Sequence, residues 1–291
     1  MQRNPLVLFA SMMVCISLVL TLKRSTRARA ETDPAALAPC PPPATLPLKV
    51  DKVIRRSRPA FTEGLVYWEG TLYESTGLYG QSALQRLDPA TGISEKLVDL
   101  PNDQFGEGLA LWQGELLQLT WKQGIVWHWP ILADGIGLAA VTTPYPREGW
   151  GIAAGMDPKK GVGLIASDGT SHIYTLNPKT FTAIDILTVR DDHGLIAGLN
   201  ELEVVEGNAQ SSIWANVWPT YRVVRIDPVS GCVTGNLDLS PLRDFLAPEE
   251  QDALARDPDA FPNGIAYDAA NSALYFTAKN WPIFFRMTLA R

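Results

Sequence analysis

The chain has little of what metal and nucleophile sites are made from. Among 291 residues there are three cysteines and three histidines. His128, His172 and His193 stand apart, in neither an HxxE nor an HxxxH spacing, and no CxxC pair occurs, so a zinc centre has no sequence basis. No G-x-S-x-G string is present, which removes the support for Ser-His-Asp catalysis on a nucleophile elbow. Charge is sparse, at 19% of residues, and basic charge sparser still. Residues 1–30 carry five basic and no acidic residues; without them 20 basic residues face 31 acidic ones, a net of −11. This balance argues against nucleic acid or an anionic membrane surface as the partner.

What is present favours a packed, turn-rich fold. Hydrophobic residues make up 46% of the chain, enough for a large core, and 22 prolines with 23 glycines disfavour a helical one. Arg3, the apolar run Pro5–Leu22 and the small residues Ala28-Arg29-Ala30 have the order of a signal peptide. Lys23, Arg24, Arg27 and Arg29 beyond a run of nearly spanning length leave an uncleaved membrane anchor as the alternative; either way the chain is expected to be exported, periplasmic or secreted. Residues 31–47, rich in Pro and Ala, read as a linker without strand pairing, and the folded domain is expected over 48–291. Cys15 lies in the leader, so Cys40 and Cys232 are either a disulfide tying linker to domain or two buried free thiols.

One pattern returns five times. A short strand opens at FTEGL 61–65, FGEGL 105–109, EGWGI 148–152, GLNEL 198–202 and FPNGI 261–265. Second strands follow at LYESTG 72–77, LLQLTW 116–121, LIASDG 164–169, IWANVW 213–218 and LYFTAK 274–279. Third strands run into D-P-x-x-G or N-P-x-x-F segments at 88–92, 177–181 and 227–231, where proline and a left-handed residue suit a hairpin turn. Antiparallel units of three or four strands, repeated in this way, are blades: the fold class is all-β, a five-bladed β-propeller. The last repeat stops after FFRMTL 284–289, and LKVDKVIRR 48–56 is expected to supply its outer strand and close the ring. With no edge left unpaired, a monomer is expected. Residues 242–260 break the pattern and read as a short helical insertion, either a surface loop or a lid over the channel.

Inner strands of a propeller share a channel, so equivalent positions meet there. Stacking the openings on their third residue gives Glu63, Glu107, Trp150, Asn200 and Asn263; stacking the second strands on their last gives Gly77, Trp121, Gly169, Trp218 and Lys279. A cluster this polar at channel positions is costly unless it is paired or used.

The strings LYESTGLYG, FGEGL, LTW, EGWG, SDG, LNELE, ANVW, NGIA and KNWP stand in the order found in the plant and bacterial glutaminyl-peptide cyclotransferases, which the chain resembles from Phe61 to Leu289. The resemblance implies cyclisation of N-terminal glutamine to pyroglutamate with release of ammonia, on peptide or protein substrates and with no required cofactor; a structural cation in the channel stays open. It implies Glu107 as acid/base with Lys279 and Asn200 as catalytic polar contacts. Trp121, Trp150 and Trp218 become the substrate-pocket aromatics, and Phe61 an apolar wall. Asn263 and Glu63 join the substrate-binding set by position, although Glu63 stands where the family commonly has Gln, which sets two carboxyls side by side to share protons. Such a site suits an intramolecular acyl transfer, which needs a folded conformer, a proton shuttle and donors for the oxyanion. Two other readings use the same residues: a lactonase or esterase with calcium on Glu63, Asn200 and Asn263, or a non-catalytic peptide-binding propeller.

Overall fold

The computed structural model describes residues 38–132, 135–137, 141–155, 163–207 and 210–289. The expected leader, with Cys15, lies outside the described residues, as do residues 31–37 of the expected linker. Among the described residues no helix is long and apolar enough to cross a membrane.

The five repeats are five antiparallel sheets. Blade 1 is Thr62–Trp68, Thr71–Thr76, Ala83–Leu87 and Ser94–Asp99. Blade 2 is Gly106–Trp112, Glu115–Thr120 and Ile125–Leu132, with Gly135–Ile136 and Val141–Pro144 both paired to the third strand. Blade 3 is Ile152–Ala154, Leu164–Ser167, His172–Leu176 and Ala183–Thr188. Blade 4 is Leu199–Val205, Ser212–Val217, Arg222–Ile226 and Val233–Asp238. Blade 5 has Pro262–Asp268, Ala273–Ala278 and Ile283–Thr288 from its own repeat. Second strands such as Ala273–Ala278 are buried on both faces, whereas the outer strand Ser94–Asp99 carries its charges into solvent. That contrast is why the second strands read as continuous apolar runs without period-2 alternation.

The turn segments behave alike because their chemistry is alike. Asp88, Asn177 and Asp227 each accept backbone N–H groups two or three residues on, and the fifth residue, Gly92, Phe181 or Gly231, takes a positive φ of 74°, 52° or 73°.

Ring closure follows the expected pairing. Val50–Arg55 lies antiparallel to Ile283–Thr288, with Ile54 opposite Phe284. Next to it, both guanidinium ends of Arg56 donate to Glu74 of blade 1 at 3.1 and 2.5 Å, with both side chains fully buried. Five apolar clusters hold the sheets face to face, one between each neighbouring pair of blades, including Ile54, Leu65, Leu72, Tyr275 and Phe284 between the last and the first. The ring is thus closed by packing at every interface.

The expected unpaired linker needs correction at its C-terminal end. Ala44–Thr45 adds a parallel fifth strand to blade 4, with Ala44 opposite Gly235 and the Leu46 N–H donating to Asn236 O at 2.7 Å. The three residues between Pro43 and Pro47 keep their donors, so proline content alone misjudged the segment. Cys40 is disulfide-bonded to Cys232 at the start of the same blade's last strand. The insertion after blade 4 is a 3₁₀ turn, Ser240–Phe245, and a helix, Pro248–Ala255. Leu242 and Leu246 pack into the cluster between blades 4 and 5, and Glu250 pairs with Arg55 on the closing strand at 2.7 Å. The helix is therefore tied to the outermost strand of blade 5, and the segment after it reaches the mouth, where Asp257 accepts from the Asn280 amide beside Lys279 at 2.7 Å.

The disulfide closes a loop of 192 residues. Cys232→Ser should destabilise the protein by about 2–5 kcal/mol in urea titrations. Under denaturing conditions the full chain should show one reactive thiol without reductant and three with it; equal counts would mean that the bridge does not form.

Candidate active site

The opening motif is a bulge. Strand register slips between Thr62 and Gly64, Gly106 and Leu109, Leu199 and Leu202, and Pro262 and Ile265. A bulge re-aims side chains, and each of these four holds one of the polar residues Glu63, Glu107, Asn200 and Asn263, which are 1, 6, 3 and 0% exposed. Trp150 precedes the short inner strand of blade 3 and is half-buried. The residue after each polar one is Gly64, Gly108, Gly151, Glu201 and Gly264. A Cβ on Gly64 would sit 2.3 Å from Leu109 N of blade 2, one on Gly108 2.6 Å from Ile152 N of blade 3, and one on Gly151 2.1 Å from Asn200 O of blade 4. Glycine at these positions lets the inner strands touch. Glu201 is the exception: its buried carboxyl accepts the N–H of Leu65 in blade 1 at 3.2 Å and of Ile265 in blade 5 at 2.8 Å, tying three blades together.

Three ionisable groups share the space above this ring. Lys279 Nζ donates to Glu63 Oε1 at 2.8 Å and Asn263 Nδ2 to Glu63 Oε2 at 2.9 Å, so both oxygens of Glu63 have a donor. Burial raises the Glu63 carboxyl to about 7 against the pull of Lys279. Burial works against the Lys279 ammonium, but the charges of Glu63 and Glu107 outweigh it and hold lysine above its usual value. Glu107 accepts no hydrogen bond from the described residues. Burial, and then the charge of Glu63, pushes its carboxyl well above the ordinary carboxylate range, with Lys279 opposing. A carboxyl supplied with two donors ionises before one supplied with none, so of the two Glu107 is the one favoured to keep its proton.

Aromatic rings surround the cluster. Trp150 and Trp218 meet edge to face at 5.9 Å, and Phe105 bridges Phe61 at 6.0 Å and Trp121 at 5.7 Å. Lys279 Nζ stands 4.8 Å above the Phe61 ring. The Trp121 indole N–H donates to Glu148 at 3.2 Å, whereas those of Trp150 and Trp218 are buried without a partner among the described residues, as is Oδ1 of Asn200. Gly77 and Gly169 take the place that Trp121, Trp218 and Lys279 take in the other blades because rings need the room. A Cβ at Gly77 would lie 2.4 Å from Phe105, and one at Gly169 2.6 Å from Trp150. The result is a set of aromatic rings and partnerless donors and acceptors around a buried carboxyl whose surroundings favour its protonated form.

Residues 17–289 match the family model described as glutamine cyclotransferase. The chain belongs to the glutamine cyclotransferase family. It is 35% identical to the glutaminyl-peptide cyclotransferase of Arabidopsis thaliana over 231 residues, covering 79% of this chain and 67% of the relative. Among solved structures it is similar to the glutaminyl cyclase of Myxococcus xanthus, with a TM-score of 0.64 at 30% identity over 82% of this chain and 94% of that one. A PQQ-bound aldose sugar dehydrogenase from Streptomyces coelicolor, 13% identical with a TM-score of 0.54 over 84% of this chain and 99% of that one, shares the fold alone.

In this member of the family the residues expected from the sequence fall into two groups. Glu107 accepts no hydrogen bond among the described residues, and Trp150, Trp218, Asn200 and Asn263 each keep one buried polar atom without a partner there, while Glu63 is engaged by Lys279 and by the Asn263 amide nitrogen. Sequence reading missed Phe105 and Glu148, which occupy the first position of their openings as Phe61 does; stacking on that position would have found them. It also missed Glu201, legible as the one non-glycine at the fourth position.

Gly169→Ala forces the Trp150 ring to move and places alanine at φ +77°. Because misplacement of about 1 Å costs on the order of 10²-fold, KM for substrate should rise at least tenfold while the circular dichroism spectrum stays unchanged; unaltered kinetics would show that Trp150 does not line the working pocket.

Proposed function

We propose that this chain is a glutaminyl-peptide cyclotransferase that uses Glu107 as its proton shuttle. Membership of the family supports the reaction, and one observation carries the assignment: among the buried ionisable groups of the mouth, Glu107 alone has no hydrogen-bond partner in the described residues and holds its proton well above the usual range. The substrate's glutamine side chain folds back against the edge-to-face pair of Trp150 and Trp218, bringing its α-amine onto the γ-amide carbonyl carbon. As the C–N bond forms, protonated Glu107 gives its proton to the departing amide nitrogen and takes one from the attacking amine. It ends as it began, and ammonia leaves. Lys279, with donors beyond its bond to Glu63, and the Asn200 amide stabilise the oxyanion, and the free indole N–H groups add to them. Phe61 and Trp121 supply apolar wall.

The calcium-lactonase reading is weaker, because the place a cation would take on Glu63 is filled by the Lys279 ammonium and the Asn263 amide. A disulfide supports a working place in an oxidising compartment, periplasmic or extracellular.

Incubation with a Gln-initiated peptide, followed by mass spectrometry, should show loss of one ammonia per molecule, and a peptide bound without mass change would favour the binding-module reading. Glu107→Gln should lower kcat by about 10²–10⁴-fold with the fold retained; most of the turnover surviving would remove Glu107 from the mechanism. The pH profile should be a bell. Activity rises as the substrate amine loses its proton and falls as Glu107 ionises, so the alkaline limb lies well above the ordinary glutamate range.

A further inference from the structure

The mouth holds two carboxyls and one ammonium, and the ammonium is committed. Lys279 is 2.8 Å from Glu63 and makes no ion pair with Glu107, although both carboxyls lie within its field. Glu63 is in turn fixed by the Asn263 amide, whose nitrogen also donates to Thr62 O at 3.1 Å, and by a bulge that leaves it 1% exposed. Without the negative charge of Glu63 the buried ammonium would have Glu107 and, more weakly, Asp259 left to neutralise it.

We propose that Glu63 is a positioning residue: it holds the Lys279 ammonium on one carboxylate oxygen and the Asn263 amide on the other, and so keeps Lys279 from pairing with Glu107, the proton carrier. The inference rests on the reaction assigned above, but concerns what prepares the site before substrate arrives. The groups facing the pair are few. Glu107 senses Glu63, Lys279 and Glu148; Glu63 senses Lys279 and Asp259 besides the Asn263 amide, and Glu201 beneath the ring senses Glu63. Glu148 and Asp259 are negative and reinforce protonation of their neighbours, so within this set Lys279 alone is able to draw the proton off Glu107.

Glu63→Gln tests this, since it keeps the size and one acceptor for Lys279 while removing the charge. The protonated carboxyl of Glu107 is read by infrared difference spectroscopy as the acid carbonyl band lost in Glu107→Gln, and its midpoint is followed with pH in the full chain without substrate. Glu63→Gln should lower that midpoint by about 1–3 pH units, the joint effect of losing the Glu63 charge that raises Glu107 and of releasing an opposite charge beside it, and should move the alkaline limb of kcat/KM down by the same amount. The double variant Glu63→Gln/Lys279→Met, which removes both charges, should bring the infrared midpoint back up. A folded Glu63→Gln with an unshifted midpoint overturns the proposal, and so does a double variant whose midpoint stays as low as that of the single one. If Glu63→Gln loses its circular dichroism spectrum, the double variant decides alone: a midpoint near that of the unaltered chain supports the proposal and a lowered one overturns it. Because the infrared arm needs no turnover, an inactive parent chain would count against the proposed reaction and leave this test standing.

Discussion

Everything at the mouth depends on how closely the five inner strands approach one another around the axis. Where a Cβ on Gly64, Gly108 or Gly151 would run into the backbone of the next blade, the strands touch with no side chain between them. That contact, made at the bulge, turns the preceding residue of each opening toward the centre. Residues some 40 to 60 positions apart in the chain thereby come together without any loop having to place them. Blade 4 breaks the glycine rule with Glu201, and its carboxyl restores the contact by hydrogen-bonding the backbones of blades 1 and 5.

The same closeness determines the electrostatics. A tight ring excludes water, and desolvation is the leading cause of the raised carboxyls at Glu63 and Glu107. What separates the two is the supply of donors. Glu63 receives an ammonium and an amide; Glu107 receives neither. One residue type in equivalent bulges of adjacent blades thus becomes an ion-pair partner in one case and a proton reservoir in the other.

This difference marks the boundary of what the sequence made legible. The five repeats, the closing strand and the residues at the mouth follow from local pattern, since bulge, glycine and turn chemistry recur at fixed offsets. The roles of Glu63 and Asn263 do not, because register identifies residues that meet without saying which of them satisfy each other. The docking of Ala44–Leu46 was hidden for a related reason: composition averaged three pairing-competent residues together with the prolines on either side. Phe105 and Glu148 were within reach, at a position of the repeat that carries aromatic walls and their partners.

Stability is drawn from every interface of the ring. The five apolar clusters lie between blades, and the ring is further secured by the Arg56–Glu74 pair, the closing strand and the Cys40–Cys232 bridge. Partnerless polar atoms at Trp150, Trp218, Asn200 and Asn263 would weigh heavily in a marginal fold, at about 1–3 kcal/mol for each buried group. A ring held at every interface tolerates them, and under the proposed reaction a substrate bearing an amine and an amide would supply their partners. The mouth is left incomplete in the free protein because the rest of the propeller does not depend on it.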